Sequence, residues 1–302
     1  MQYKIKDIIE SSFESLVEWR EHIHANPELS FREEETSAFV VSKLEDMNIP
    51  YERGIAGTGI VALIKGRKPE KQCIALRADL DALPIIEEND VPYKSQVQGV
   101  MHACGHDVHT TCLLGAAKAL NVLKDEFEGT IKLIFQPGEE VLPGGASIMI
   151  KEGVLENPKV DKILALHVFP SMDVGRVGFK PGQYMAACDE LYLTVKGKGG
   201  HAALPHEYNN PIMIMAELLP KLESYLSSLS DGTSPYIFAF GKMMADGATN
   251  VIPQTAKAEG TLRTMDEQWR TDVHEKLEHF VADFLNAKNA EGQLHIAKGY
   301  PS

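Results

Sequence analysis

The feature that most constrains the fold is the alternation of short apolar segments with amphipathic segments over the first 176 residues. Four apolar runs predict strands: TGIVALIKG, QCIALRAD, TIKLIFQP and KILALH. Helical patterns such as TTCLLGAAKALNVLK and GASIMIKEGVL lie between several of them. Strands that are apolar on both faces and alternate with helices favour an α/β domain with a mainly parallel sheet.

The pattern changes after about residue 176, where the strands become amphipathic. The segments DELYLTVKGKGGH, PYIFAFGKM and TAKAEGTLRT predict half-exposed strands, and helices are predicted over residues 211–229 and 267–285. This order favours a small α+β unit. The glycines and proline of GRVGFKPG place the boundary near Gly175–Gly182. We therefore expect one domain at residues 1–176 and a second at residues 177–290.

Composition excludes several classes of protein. The net charge of −13 argues against a nucleic-acid surface. No segment approaches the roughly 18–20 apolar residues of a membrane span, and the N-terminus lacks the pattern of a signal peptide. The four cysteines form neither a CxxC pair nor a disulfide framework. We expect a cytoplasmic protein without nucleic-acid or membrane partners.

Polar side chains collect where the predicted strands end. The carboxyl ends of strands are the usual site of function in α/β sheets. A further stretch, MHACGHDVHT, directly precedes a predicted helix and carries Cys104 and His106. The polar residues at the strand ends are Asp79, Asp81, Glu139, Glu140 and His167.

This set of residue types favours a metal site over the alternatives. CGH alone could be a Cys/His nucleophilic pair, GEE alone could be a solvated helix start, and His167 alone could be a satisfied core histidine. Thiolate, imidazole and carboxylate together suit zinc or a similar transition metal. One glutamate could bind the metal while its neighbour accepts a proton from metal-activated water, without a covalent intermediate. Asp107 and His109 are weaker candidates, for positioning a ligand imidazole.

Seven motifs in order resemble one known family. They are REHIHANPELSFREEETSAFV, LRADLDALPI, HACGHDVHTT, FQPGEE, ALHVFP, GKGGHAALPH and TNVIPQTAKAEGTLRT. Together they are similar to the metal-dependent aminoacylase and hippurate hydrolase family. That family also includes N-acetyldiaminopimelate deacetylases and plant hydrolases of indoleacetyl-amino acid conjugates.

The resemblance implies an assignment for the strand-end residues. It implies Glu139 as the general base and Asp81 as an aspartate that orients and tunes the site. It also implies one or two divalent ions per chain, of zinc, manganese, nickel or cobalt, and an N-acyl amino acid as substrate. The implied metal ligands are Cys104, His106, Glu140 and His167.

The resemblance further implies that residues 177–290 form an inserted lid domain, which also makes a homodimer contact. His201 then matches a catalytic lid histidine that binds substrate or stabilises the developing oxyanion. Asn250 and Arg263 match lid positions that reach the substrate carboxylate.

The end of the chain differs from the family pattern. GYP resembles the return from lid to catalytic domain, so that domain is expected to begin again near residue 291 and to be cut short at residue 302. The family's further ligand histidine has no counterpart, and His295 precedes the return. Two alternatives remain open: a di- or aminopeptidase of the same superfamily, and a truncated, catalytically impaired relative that acts as a binding or dimerisation module. The RADLDALP and CGH forms favour the acyl-amino-acid branch.

Overall fold

The computed structural model describes residues 2–301 and divides the chain into two compact units, Met1–Arg176 and Val177–Ser302. The first unit contains, in chain order, α1 (Gln2–Ala25), α2 (Glu34–Asp46), β1 (Tyr51–Ile55), β2 (Gly59–Lys65), β3 (Cys73–Asp79), α3 (His106–Val122), a 3-10 turn (Lys124–Glu126), β4 (Thr130–Gln136), α4 (Gly145–Lys151) and β5 (Lys162–Ala165).

The first unit is built on a five-stranded sheet in the order β1-β2-β4-β3-β5. The strands β4, β3 and β5 run parallel, whereas β1 and β2 are antiparallel to their neighbours. The α/β class predicted from the sequence is confirmed, and the parallel part of the sheet is the part whose carboxyl ends carry the candidate site.

Both faces of this sheet are covered. Leu44 of α2 and Leu114 of α3 pack with Phe135 of β4 on one face, and Met149 of α4 packs with Ile134 on the other. Because both faces are covered, every residue of β4 except Ile131 is buried, and residues 133–135 form an apolar run. In contrast, all of β5 is exposed at the sheet edge.

The second unit contains β6 (Ala187–Lys196), β7 (Gly200–His201), α5 (Pro211–Leu229), β8 (Tyr236–Ala245), β9 (Val251–Ile252), β10 (Thr255–Thr264), α6 (Glu267–Ala287) and β11 (Glu291–Ala297). An antiparallel sheet has the order β11-β6-β10-β8, and β7 pairs with β9 in a short ribbon. No helix within residues 2–301 has the length and apolar character required to cross a bilayer.

Alternating burial decides which face of the second sheet is covered. Leu191, Leu193 and Val195 of β6 are buried against α5 and α6, while the residues between them face away from the helices. Both helices begin at a side-chain cap. Asn210 accepts a hydrogen bond from the Ile212 N–H at 3.0 Å, and Asp266 accepts one from the Trp269 N–H at 2.9 Å.

The structure differs from the expected boundary at residue 291. Residues 291–297 form β11, which pairs with β6 along its whole length and so belongs to the second sheet. The physical reason is the alternation of Leu294 and Ile296, which are buried in the same core as β6.

Candidate metal centre

The predicted strand-end residues meet at one edge of the first sheet. β3 and β4 are parallel neighbours, and the Leu80 N–H donates to the Gln136 carbonyl at 3.0 Å just beyond β3. The segments that follow β3 and β4 therefore leave the sheet at the same edge, the one formed by the carboxyl ends of these strands. Asp81 follows β3 there, and Glu139 and Glu140 follow β4. His167 follows β5, the other parallel neighbour of β3.

The start of α3 approaches this edge through a glycine. Gly105 lies in the left-handed region at φ +92°, between Cys104 and His106. A Cβ atom at Gly105 would lie 2.4 Å from Val168 Cγ2, so a larger residue would separate the helix start from the segment that carries His167. The backbone thus brings the CGH motif against the end of β5.

Five of the predicted residues offer ligand atoms within one small volume. Cys104 Sγ lies 3.3 Å from His167 Nε2. His106, Glu139 and Glu140 form a second group in which all ligand atoms lie within 4.8 Å of one another, and His106 belongs to both groups. Cys104 is partly buried and His167 is exposed, so the cluster has a side open to solvent.

Two buried atoms of this cluster suit a cation. His106 Nε2 and Glu140 Oε1 are buried without a hydrogen-bond partner in the described part of the chain. They lie 3.7 Å apart, which is too long for a hydrogen bond. Buried polar atoms normally have partners. A metal ion held by thiolate, imidazole and carboxylate would satisfy both atoms, so the donor set fits a zinc-like ion.

Asp81 connects the ligand candidates to one another. Its Oδ1 accepts a hydrogen bond from His106 Nδ1 at 3.2 Å, which leaves Nε2 directed into the cluster. Its Oδ2 accepts from the Glu140 N–H at 2.9 Å and from the Ser30 hydroxyl at 2.7 Å. A carboxylate that fixes the ring orientation of a ligand histidine is a common feature of metal sites.

A second carboxylate, that of Asp79, is linked through His109 to the segment that carries His167. Asp79 receives a hydrogen bond from His109 Nδ1 at 2.7 Å and an ion pair from Arg77 at 2.7 Å. His109 Nε2 accepts the Val168 N–H at 3.0 Å, so the ring connects β3 to the residue after His167. The contact to the residue beside His167 arises from the fold and has no local sequence signal.

The electrostatics of the cluster differ among its carboxylates. Burial raises the pKa of Glu139, and the neighbouring charge of Glu140 raises it further. Burial acts in the same direction on Asp79, but the hydrogen bond from His109 and the charge of Arg77 hold its pKa well below the usual range. Burial lowers the pKa of His106, yet its hydrogen bond to Asp81 and the nearby acidic groups raise that pKa to about 11.

Asp107 was a weaker candidate for positioning a ligand imidazole, but its hydrogen bonds go elsewhere. Its Oδ2 instead accepts hydrogen bonds from Arg20 Nε and His24 Nδ1, each at 2.8 Å. His24 Nε2 lies 3.2 Å from Glu87, so these four side chains form one largely buried polar network that includes two residues of α1. Asp107 lies in the first turn of α3 and makes its contacts with α1. Its carboxylate therefore finds its hydrogen-bond partners on α1 and not among the candidate ligands.

The second unit brings together only two of its three predicted residues. His201 is exposed on the β7–β9 ribbon, where the Ala202 N–H donates to the Asn250 carbonyl at 3.0 Å. The ribbon continues the β6–β10 ladder, because the Gly197 N–H donates to the Gln254 carbonyl. Arg263 lies near the other end of β10. At the rise of an extended strand, it is about 27 Å from Thr255, the end of β10 that adjoins the ribbon. One chain therefore cannot direct all three side chains to one point.

Comparison with known proteins supports a single family. The model of "Peptidase family M20/M25/M40" matches residues 75–294. The N-acyl-L-amino acid amidohydrolase of Geobacillus stearothermophilus is 37% identical, with 98% of this chain and 80% of that protein covered. The N-acetyl-L-cysteine deacetylase of Bacillus subtilis (strain 168) is 42% identical over 86% of this chain and 62% of its own length.

A solved structure gives the same result. The Bacillus subtilis YXEP protein, described as a dinuclear metal-binding peptidase of the M20 family, superimposes with a TM-score of 0.79 at 33% identity, covering 97% of this chain and 76% of that one. The predicted resemblance to the amidohydrolases is confirmed by these names. The chain belongs to peptidase family M20/M25/M40, a family of hydrolases that act on amide bonds.

Proposed function

We propose that this chain is a metal-dependent amidohydrolase that cleaves the amide bond of N-acyl amino acids. The observation that carries the proposal is the pair of buried, partnerless atoms, His106 Nε2 and Glu140 Oε1, at the carboxyl edge of a parallel sheet. The substrate class is supported by the relatives named as an N-acyl-L-amino acid amidohydrolase and a deacetylase.

The residues that would hold the metal are Cys104, His106, Glu140 and His167, with one or two ions of zinc, manganese, nickel or cobalt per chain. A bound ion of this type polarises an amide carbonyl and lowers the pKa of a water molecule. Asp81 would keep the His106 ring and the Glu140 backbone in place through the hydrogen bonds described above.

Glu139 would act as the general base. Its raised pKa brings a carboxylate closer to the operating pH, where general bases are most effective. It would take a proton from the attacking water and return it to the leaving amine. The neighbouring Glu140 contributes to that raised pKa, so the two adjacent glutamates would have different roles.

Residues 177–290 would serve as a lid and dimerisation domain. His201 and Asn250 would contact substrate, and His201 would stabilise the developing oxyanion. Arg263 is exposed, which suits a guanidinium that receives a substrate carboxylate. Because Arg263 lies at the other end of β10 from His201 and Asn250, the three side chains would meet one substrate only if two subunits supplied them.

We further propose a homodimer that forms through this domain. The outer edge of β8 is unpaired within residues 2–301, and Ile237 and Met243 on it are 58% and 47% exposed. An exposed apolar strand edge readily accepts another strand.

The free cysteines Cys73, Cys104, Cys112 and Cys188 agree with a reducing, cytoplasmic location.

A peptidase activity is the second candidate, because the superimposed YXEP protein is described as a peptidase.

To distinguish the two activities, the purified chain is loaded with manganese or zinc and amine release is measured. One panel contains N-acetyl and N-benzoyl amino acids, and a second contains dipeptides with free amino groups. We expect the acyl panel to be cleaved faster. Faster cleavage of the dipeptides would favour the peptidase.

Variants of the two glutamates test the assigned roles. Glu139→Gln should lower kcat by about 100- to 10,000-fold with unchanged metal content, because only the base is removed. Glu140→Ala should lose metal as measured by elemental analysis. Glu152→Gln, outside the cluster, is the control. A metal-loaded chain that cleaves neither panel would contradict the proposed function and favour a catalytically impaired binding module.

A further inference from the structure

Glu33 is a fully buried carboxylate within the charged run FREEE. Its Oε1 accepts hydrogen bonds from the Phe31 N–H at 3.0 Å and from the Gly138 N–H at 2.7 Å. Its Oε2 accepts the Thr58 hydroxyl at 2.6 Å. A buried carboxylate is retained only when hydrogen bonds satisfy it, and these donors come from three separate segments. Glu33 therefore connects the segment before α2 and the start of β2 to the loop after β4.

The loop after β4 is held tightly at Gly138. This residue has φ +54°, and a Cβ atom there would lie 2.4 Å from the Phe31 ring. Phe31 itself has φ +62°, a conformation that bulky residues rarely adopt. The Gly138 carbonyl also accepts the Gly145 N–H at 2.9 Å. Both polar groups of the Gly138 backbone are thus bound, and the Phe31 ring packs beside its Cα atom.

The contacts of Gly138 affect the candidate metal centre because of where Gly138 lies in the sequence. It directly precedes Glu139 and Glu140. The Gly138 N–H is bound by Glu33, and the Glu140 N–H is bound by Asp81. The backbone that carries the two glutamates is therefore fixed by a carboxylate at each end, and Asp81 alone touches a ligand candidate.

We propose that Glu33 is a positioning residue that aims Glu139 and Glu140 through the Gly138 backbone; this inference rests on the function proposed above. Reactions that need an oriented base are sensitive to small displacements, and about 1 Å can cost about 100-fold in rate. Glu33 does not touch the cluster itself. A purely structural role would change stability without changing the chemistry of the folded, metal-loaded protein.

The test compares Glu33→Gln and Thr58→Val with a control variant on the surface, Glu152→Gln. Glu152 also accepts a loop N–H at 2.7 Å across a long sequence separation, from Ala56, but lies outside the cluster. Each variant of the whole chain is loaded with cobalt. Metal content, the visible absorption spectrum of the bound cobalt, kcat and KM are then measured per metal-loaded chain.

We expect Glu33→Gln to keep its metal, to change the cobalt spectrum and to lower kcat by about 10- to 100-fold with KM little changed. Thr58→Val, which removes one donor to the carboxylate, should give a smaller change in the same direction, and Glu152→Gln should give none. If Glu33→Gln fails to fold, Thr58→Val decides by the same criteria.

Two outcomes would overturn the proposal. With an active wild type, a kcat within about twofold of wild type shows a structural role only, whatever the stability of the variant. If the wild type cleaves no substrate, the proposed function fails separately. The cobalt spectrum then decides alone, and an unchanged spectrum refutes the positioning role.

Discussion

Replacing Asp189 with alanine should destabilise the second unit by a predictable amount. Asp189 is buried on β6 and receives hydrogen bonds from Arg270 Nε and Nη2, from His274 Nε2 at 2.7 Å and from the Gly299 N–H at 3.0 Å. Burial alone would raise its pKa, but these donors hold the pKa well below the usual range. The carboxylate is therefore charged in the folded state and joins β6, α6 and the segment after β11.

The size of the effect follows from what remains after the change. Removing one partner of a buried ion pair costs about 3–5 kcal/mol, because the other charge stays buried. Arg270 retains its contacts with Glu267 and with the Gly299 carbonyl, so we expect the lower limit of about 3 kcal/mol. Glu259→Ala breaks the exposed pair with Lys242 and should cost less than about 1 kcal/mol.

The assay is urea unfolding followed by tryptophan fluorescence. The chain has two tryptophans, one in each unit, so a Trp19→Phe background reports only Trp269 in the second unit. With a denaturant slope of about 2 kcal/mol per M, a loss of about 3 kcal/mol lowers the midpoint by about 1.5 M. A shift no larger than that of Glu259→Ala would refute the reasoning.

The pH dependence has a definite sign. A carboxyl group with a depressed folded pKa contributes stability above its unfolded pKa, about 3.9 for aspartate, and loses it as the pH falls through the folded value. The difference in unfolding free energy between wild type and Asp189→Ala should therefore be complete at about pH 5 and smaller at about pH 3. A difference that grows on acidification would contradict the assigned role of the carboxylate.

Two further predictions concern metal binding and assembly. Since the pKa of His106 is raised to about 11 without a metal, that imidazole carries a proton at neutral pH, which an incoming ion must displace. Metal titration in weak buffer at pH 7 should release at least one proton per ion, with affinity that rises with pH; binding without proton release would be evidence against this. Sedimentation should show a dimer that Ile237→Asp converts to a monomer, because a charge is placed on the exposed β8 edge. A monomeric wild type would exclude the proposed dimer.

Local periodicity was sufficient to predict most of the secondary structure. The helix predicted over residues 211–229 and the strand TAKAEGTLRT correspond to α5 (Pro211–Leu229) and β10 (Thr255–Thr264). In each case one face is buried, so the apolar residues repeat with the period of the element. No local pattern predicted β1 or β11. β1 is a short, mostly exposed strand, and the alternation of β11 is interrupted by Gly292 and polar residues.

The candidate cluster was also largely predictable. Parallel strands end at the same edge of a sheet, so the polar residues after β3, β4 and β5 were expected to meet. His106 lies close to Cys104 and His167 and also to Glu140, as the joint occurrence of these residue types suggested. Their roles as ligands, and the role of Glu139 as base, stay predictions until metal content and rates are measured.

What the sequence determined by itself was the class of fold and the chemical types of the site residues, since both follow from local patterns of apolar and polar positions. Only the tertiary structure decided which carboxylates are buried and what they contact. Glu33 stands in a run of charges that resembles a solvated helix start, yet it binds Gly138 across 105 residues. Asp107 reaches His24, and Arg263 lies at the far end of β10 from His201. Such partners depend on how distant segments pack, and a short-range pattern carries no information about that packing.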